Sequence, residues 1–351
     1  MSKQSRIFEI SRTILAITIA LLIALVTILF VSEEPANALS TFLLGPLKSM
    51  RHFGNVLEMM IPLLFTGLAV SIMFSSAQFN LGAEGAFFLG GIASTFIAVK
   101  WALPNVIHPV IAILVGGLVG AVFCGIPAIL KVKWNATELV SSLMLNYVAL
   151  FFGLYIINYY LRDVNAGAMV SYKLAETSKL IKLIPKTRVH FGIIIAAIAV
   201  IAIFYFMYRT RWGYRIRLTG LNSSFARYSG IKTASVIILA QLLGGFVAGV
   251  GGSIEILGMY RRFSWQSLPG YGWDGIIVAI LARNNPALIP VGAFFLAYLR
   301  IGADLMARTS DVQSEVVYII QGVMIVLIAA ESFMAQYRHK LVFKEARNRS
   351  V

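Results

Sequence analysis

The chain alternates long apolar runs with short polar breaks. Apolar runs cover residues 14–31, 56–76, 83–99, 107–130, 138–161, 190–208, 234–257, 273–283, 287–306 and 315–335. A hydrocarbon core of ~30 Å needs ~20 helical residues to cross it. Most of these runs meet that length, and period-two strand patterns are few. In lipid every backbone N–H and C=O must be satisfied within the protein, so helices are the expected spanning element. The pattern therefore predicts an all-α integral membrane protein, a polytopic bundle of about ten transmembrane helices. One run is weak: GIIVAILA at 275–282 reaches only about 12 Å as a helix, which predicts a broken or re-entrant element. The first run follows Lys3, Arg6 and Arg12, and Ala36-Asn37-Ala38 resembles a signal-peptidase site. Its 18 residues exceed the usual apolar region of a signal peptide, roughly 7 to 15, so it reads as an uncleaved first span.

Composition supports this class. The 351 residues are 59% hydrophobic and 13% charged, with a mean hydropathy of +0.82, whereas a soluble domain carries roughly a quarter charged residues. The net charge of +15 sits in the breaks between apolar runs, as membrane topology produces by itself, and marks no nucleic-acid surface. Cys124 lies inside an apolar run with no second cysteine and reads as a small packing residue. Ten spans put both termini on one side. With the N-terminus inside, 17 of the 30 Lys and Arg fall on the inner side, which favours N-in, C-in. The chain then divides into a cytoplasmic N-terminus 1–13, a membrane domain 14–335 and a basic cytoplasmic tail 336–351. The membrane domain includes an inner loop 209–232 and a lysine-rich external loop 162–188.

Ionisable groups inside spans are expensive, at roughly 2.5 to 3.5 kcal/mol each on insertion scales, so Glu58, Glu84, Glu138, Glu255 and Asp274 call for a reason. Glu84 and Asp274 sit in two related elements, Gly82-Ala83-Glu84-Gly85 and Gly272-Trp273-Asp274-Gly275, each opening a helix. In the topology above these would begin inverted repeats, an arrangement common where broken helices line a transport path. Two readings stand: the carboxylates brace helix starts, where the dipole favours them, or they line a solute path. Asn80, Asn146 and Tyr147 share that ambiguity. Glu138, Ser142 and Asn146 recur at i, i+4, i+8 and so form a polar stripe on one helix face. Phe79, Tyr147, Tyr271 and Trp273 are either ring-stacking groups or an interfacial aromatic belt. Gly245 and Gly249, with Gly244, Ala248 and Gly252, predict close helix packing.

The stretch RTRWGYRIRLTGLNSSFARYSGIK, Arg209 to Lys232, carries six basic residues and no acid. Asn222 or Ser223 is placed to cap a short helix reaching Tyr228 and ended by Gly230. Its apolar face, Phe225, Ala226 and Tyr228, suits a protein partner better than anionic lipid alone. The chain has no GxxxxGK[ST] phosphate loop, no His pair at metal-ligand spacing and no Ser/His/Asp arrangement. No catalytic or metal-binding residue is expected.

Five stretches in order carry a resemblance: IPLLFTGLAVSIMFSSAQFNLGAEG, ELVSSLMLNYVALF, GYRIRLTGLNSSFARYSGI, LPGYGWDGIIVAILARNNP and VVYIIQGVMIVLIAAESF. Together they resemble the permease subunits of bacterial ABC importers for simple sugars and nucleosides, within the ribose and branched-chain amino-acid permease superfamily. The likeness is greatest to the longer permease of nucleoside uptake systems. The resemblance implies a multi-pass protein of the bacterial plasma membrane that moves a nucleoside or related solute. It implies a tandem ABC ATPase subunit that binds ATP and Mg, with no cofactor in this chain. A second related permease, in a hetero- or homodimer, an extracellular solute-binding lipoprotein and membrane lipid complete the partners. Gly220, Asn222, Ala226, Arg227 and Gly230 match the family's coupling segment and would face the ATPase. Asn80, Gly82, Glu84 and Gly85 match its Asn-x-Gly-x-Glu-Gly signature, with Ala86 where Gln is common. The lysine-rich segment 162–188 is poorly matched by the family; its charge suits a contact with an acidic solute-binding protein. The alternative from another class is a stand-alone secondary transporter with Glu84 or Asp274 as proton site.

Overall fold

A computed structural model describes residues 32–310 together with Leu22, Val26, Leu29, Tyr318, Ile319 and Gly322. The predicted spans 14–31 and 315–335 therefore lie outside the described residues but for these few positions, as does the basic tail 336–351. Among the described residues every regular element is helical. The helices are α1 (Pro35–Leu44), α2 (Met50–Phe74), α3 (Ala83–Lys100), α4 (Ile107–Trp134), α5 (Glu138–Ile156), α6 (Gly192–Arg209), α7 (Arg211–Leu221), α8 (Ser223–Tyr228), α9 (Thr233–Met259), α10 (Tyr271–Leu281) and α11 (Ile289–Thr309). Seven of them, α2 to α6, α9 and α11, are long and apolar enough to cross a membrane. α5 continues through a wider turn to Leu161. Each coincides with a run read from the pattern. α10, at eleven residues, covers only about 16 Å, as its short apolar run predicted. α1 was not anticipated; Pro35 opens it, where its fixed φ suits a first turn.

The chain forms two compact units. In the first, residues 1–49 with 298–351, the end of α11 lies against α1 and the turn after it. A Cβ at Gly302 would come within 2.4 Å of the Phe42 carbonyl oxygen, Gly45 packs on Leu305, and the Tyr298 hydroxyl donates to the Leu43 carbonyl.

The second unit, 50–297, is built around α9, which packs most extensively against α4, then α3 and α2. Glycine makes this possible. Cβ atoms at Gly245 and Gly249 would lie 2.3 Å from the carbonyl oxygens of Gly120 and Gly116, and one at Gly252 would lie 1.9 Å from that of Phe87. The small-residue stripe thus does what was expected of it. Its counterpart Gly116-x-x-x-Gly120 on α4 is a second such pair, and backbones in contact gain dispersion where lipid supplies no hydrophobic drive. Ser253 on α9 also donates to Gly90 O at 3.1 Å. Cys124 is buried among these helices as expected.

The loop 162–190 is an ordered cap on one end of the unit. Ser171 N donates to Phe263 O (3.1 Å), Leu174 N to Arg261 O (3.0 Å), Ala175 N to Ala98 O (3.1 Å) and Leu180 N to Leu257 O (3.1 Å). Arg262 pairs with Asp163 at 2.6 Å, and that guanidinium holds the Asp163 carboxyl below its usual range.

Candidate functional site

The opposite end carries 209–232, and there α2 finishes. Beyond Phe74 the chain turns at Ser75–Ala77 and runs back without helix before α3 starts at Ala83. The second break, 260–270, precedes α10. α10 ends beside the close of α2, where Ser71 Oγ donates to Asn284 O at 2.7 Å. With only about 16 Å of helix, α10 must begin inside the bundle. Its start meets the start of α3.

Glu84 makes that meeting. One carboxylate oxygen accepts from Gly270 N at 2.6 Å and the other from Gly272 N at 2.5 Å. These amides belong to the orphan donors of a helix N-terminus, where partial positive charge also favours a carboxylate. The approach is close enough that a Cβ at Gly272 would lie 2.5 Å from Glu84 Cα, and Gly270 adopts φ +87°, open to glycine at little cost. The two Gly-acid-Gly elements, read from sequence as distant symmetry mates, are in direct contact.

Further polar side chains pin the segment leading into α3. Asn80 Oδ1 accepts from Gly82 N (2.7 Å) and its Nδ2 donates to Gln241 Oε1 on α9 (2.8 Å). Asn146 on α5 accepts from Gly85 N (3.0 Å) and donates to Leu81 O (3.0 Å), while Ser142 Oγ accepts from Leu81 N (2.9 Å). The polar stripe on α5 therefore satisfies backbone that lipid could not. Glu138, one turn earlier, pairs with Lys131 at 3.2 Å. Asn80, Glu84, Asn146 and Asp274 are all buried. Tyr147 and Trp273 differ, at 55% and 46% exposed, as does Phe79. Each is the chain neighbour of a buried knot residue and emerges from the knot to the surface of this chain. Tyr271 turns inward, its ring tilted against that of Phe87 (centroids 5.2 Å apart) and its hydroxyl 3.5 Å from Glu255.

The elbow 209–232 is the second element. Thr210 Oγ1 accepts from Gly213 N (3.1 Å) and donates to Phe206 O (2.6 Å), folding α7 back on the end of α6. Gly213, Ile216 and Thr219 form the buried stripe of α7. Asn222 Oδ1 caps α8 by accepting from Phe225 N at 2.9 Å, and Gly230 at φ +80° follows its end, both as predicted. One expectation fails. Ala226 is fully buried and faces the bundle, because α8 is a single short turn and half and must seat one side chain inward. The outward face consists of Phe225, Arg227 and Tyr228, with Leu221 before it, which the sequence reading left out; Tyr228 is 93% exposed.

Elbow and knot are joined. A Cβ at Gly220 would lie 2.1 Å from Ser75 O, so the end of α7 rests directly on the turn that leads to Asn80. Gln241, Gly220 against Ser75, and Leu221 had no signal of their own in the sequence.

Residues 53–329 match the family described as the branched-chain amino acid transport system / permease component. The chain belongs to that permease family. It is 30% identical over 345 residues to the glucose ABC transporter permease protein TsgB13 of Haloferax volcanii, covering 95% of this permease and 91% of that one. The guanosine ABC transporter permease protein NupP of Bacillus subtilis is 28% identical, with 90% and 92% covered. The nucleoside ABC transporter permease protein NupB of Lactococcus lactis is 26% identical, with 91% and 90% covered. No solved structure matches. This protein is accordingly a multi-pass permease subunit of an ABC transporter, and family membership supports that reading rather than the stand-alone carrier.

Proposed function

We propose that this permease forms half of a translocation path for a nucleoside or related sugar-containing solute. A second related permease completes the path, an external binding lipoprotein delivers the solute, and a tandem ATPase holding ATP and Mg drives it from the cytoplasm. The observation that carries this reading is the contact of Gly220 with Ser75. The capped helix α8 offers Phe225, Arg227 and Tyr228 to a partner, and its motion passes through 75–77 to Asn80 and Glu84, hence to α10. Asn80, Glu84, Asn146 and Asp274 frame the knot, while Tyr147 and Trp273, with Phe79, present ring faces to solute. Gly220, Asn222 and Gly230 shape the docking element. In this arrangement 209–232 and both termini face the cytoplasm, ten helices cross the membrane, and the two Gly-acid-Gly starts are halves of an inverted repeat.

The deciding experiment is uptake of labelled guanosine by cells carrying Phe225→Ala with Arg227→Glu. Both uptake and co-purification of the ATPase are expected to disappear, and normal transport would refute the docking role. Competition by unlabelled glucose separates a nucleoside path from a sugar path, which the name of the Haloferax relative makes the second reading. Labelling of single cysteines at Ser224 and Lys186 from each side tests the orientation.

A further inference from the structure

α6 carries an apolar face that nothing in its unit covers. Ile194, Ile198, Ile201, Tyr205 and Tyr208 recur at i, i+4, i+7, i+11 and i+14, all exposed, and run down the helix to Arg209. At that point a cleft of about 620 Å³ opens between the end of α6, α7 and α8. Its volume falls within the roughly 300–1,000 Å³ usual for small-molecule sites. Arg209, Arg211, Arg215 and Arg217 line it, with Tyr214 and Phe225.

The charge in this cleft has no acidic counterpart among the described residues. The chain holds no acidic residue between Glu176 and Glu255, and among the described residues none of the four arginines has an acidic partner. Arg217 donates to Met207 O at 3.1 Å and lies 4.6 Å over the Tyr208 ring; Arg215 lies 5.0 Å over Trp212. These contacts hold two guanidinium groups in place without neutralising them. A cationic cleft at the foot of an uncovered apolar stripe matches a ligand that is anionic at one end and long-chain apolar at the other.

We propose that this cleft is a binding site for the headgroup of an anionic phospholipid, with its acyl chains lying along the α6 stripe. The stripe selects a lipid over free phosphate or an acidic peptide, since neither has chains to lay on it. Because Phe225 of α8 forms part of the wall, the bound lipid braces the elbow. The site requires only that α6 spans the membrane and is independent of the solute carried.

The test uses the full-length permease exposed to equal amounts of phosphatidylglycerol and phosphatidylcholine, with retained lipid read by native mass spectrometry. The expected result is selective retention of phosphatidylglycerol. Each cation near an anionic lipid surface contributes about fivefold, so Arg209→Gln/Arg211→Gln/Arg215→Gln lowers retention at least tenfold. Arg51→Gln/Lys182→Gln/Lys186→Gln, in the basic cleft at the other end of the unit, leaves it within twofold. Equal loss in both variants, or loss in neither, overturns the proposal. Should the first variant fail to fold, a protein with Trp212 as its sole tryptophan gives a second reading. Brominated phosphatidylglycerol is expected to quench it more than brominated phosphatidylcholine, and equal quenching overturns the site. Displacement of the brominated lipid by millimolar inorganic phosphate, or by the ATPase subunit, also overturns it in favour of a free anion or an acidic protein segment.

Discussion

The knot at Asn80–Gly85 and the elbow at Arg209–Lys232 are both polar interruptions of an apolar chain, yet they are satisfied in opposite ways. In the knot each of these carboxamides and carboxylates is buried and bonded to backbone: Glu84 to Gly270 and Gly272, Asn146 to Gly85 and Leu81, and Asn80 to Gly82, with a further bond from Asn80 to the Gln241 side chain. In the elbow the arginines have no acidic partner among the described residues, and large apolar side chains point outward. The difference teaches where to look for partners. Polar residues deep in a membrane protein are first of all replacements for water on exposed backbone, whereas unpaired charge and exposed aromatics at a helix end mark a surface that something else completes.

Thermal unfolding in detergent breaks or sharpens that comparison. Glu84→Ala leaves two interior amides without their acceptor. With charge-assisted bonds worth roughly 1.5–3 kcal/mol each, a loss of about 3–5 kcal/mol and little folded protein are expected. Full stability in this variant would mean the two helix starts do not depend on one another. Asn146→Leu orphans Gly85 N and Leu81 O and is expected to cost about 2–4 kcal/mol, at roughly 1–3 kcal/mol per unsatisfied group; a change below about 1 kcal/mol would show that water enters the knot.

At the elbow, Phe225→Ala with Arg227→Glu is expected to shift stability by no more than about 0.5 kcal/mol, as for exposed sites generally, while abolishing uptake. Tyr147→Ala and Trp273→Ala should be equally mild to the fold and act on solute affinity, read as a rise in KM for uptake. The smallest effect concerns the cap. Asp163 is held below its usual range by Arg262, so its contribution is complete above the unfolded carboxylate pKa of about 3.9 and is lost as pH falls through the lower folded value. Hydrogen exchange of Ser171 and Leu174 amides should therefore be flat from neutral pH to that point once corrected for intrinsic rate, and a loosening near pH 6 would contradict the pairing.

Much of the architecture was legible along the chain, because the bilayer imposes a length on every crossing helix and the backbone has no alternative to hydrogen bonding within it. Eight of the ten apolar runs coincide with described helices, and the shortness of α10 could be counted directly. The cap and stop of α8 were equally readable, since Asn222 and Gly230 act on neighbours three residues away or fewer. Contacts between distant residues were not readable. Glu84 stood as either brace or path residue until its partners, 186 and 188 positions along, were in place. Ala226 was read as part of a docking face because local pattern cannot say which side of a six-residue helix the bundle claims.

Membership of an apolar span is thus a local property, decided by the transfer of each side chain into lipid and carried by consecutive residues. Which polar groups inside those spans are structural and which are offered outward depends on what the chain brings beside them from far away. Hydrogen-bond satisfaction in a medium without water is settled pair by pair in space, and only packing α3 against α10, and α7 against the 75–77 turn, assigned those pairs.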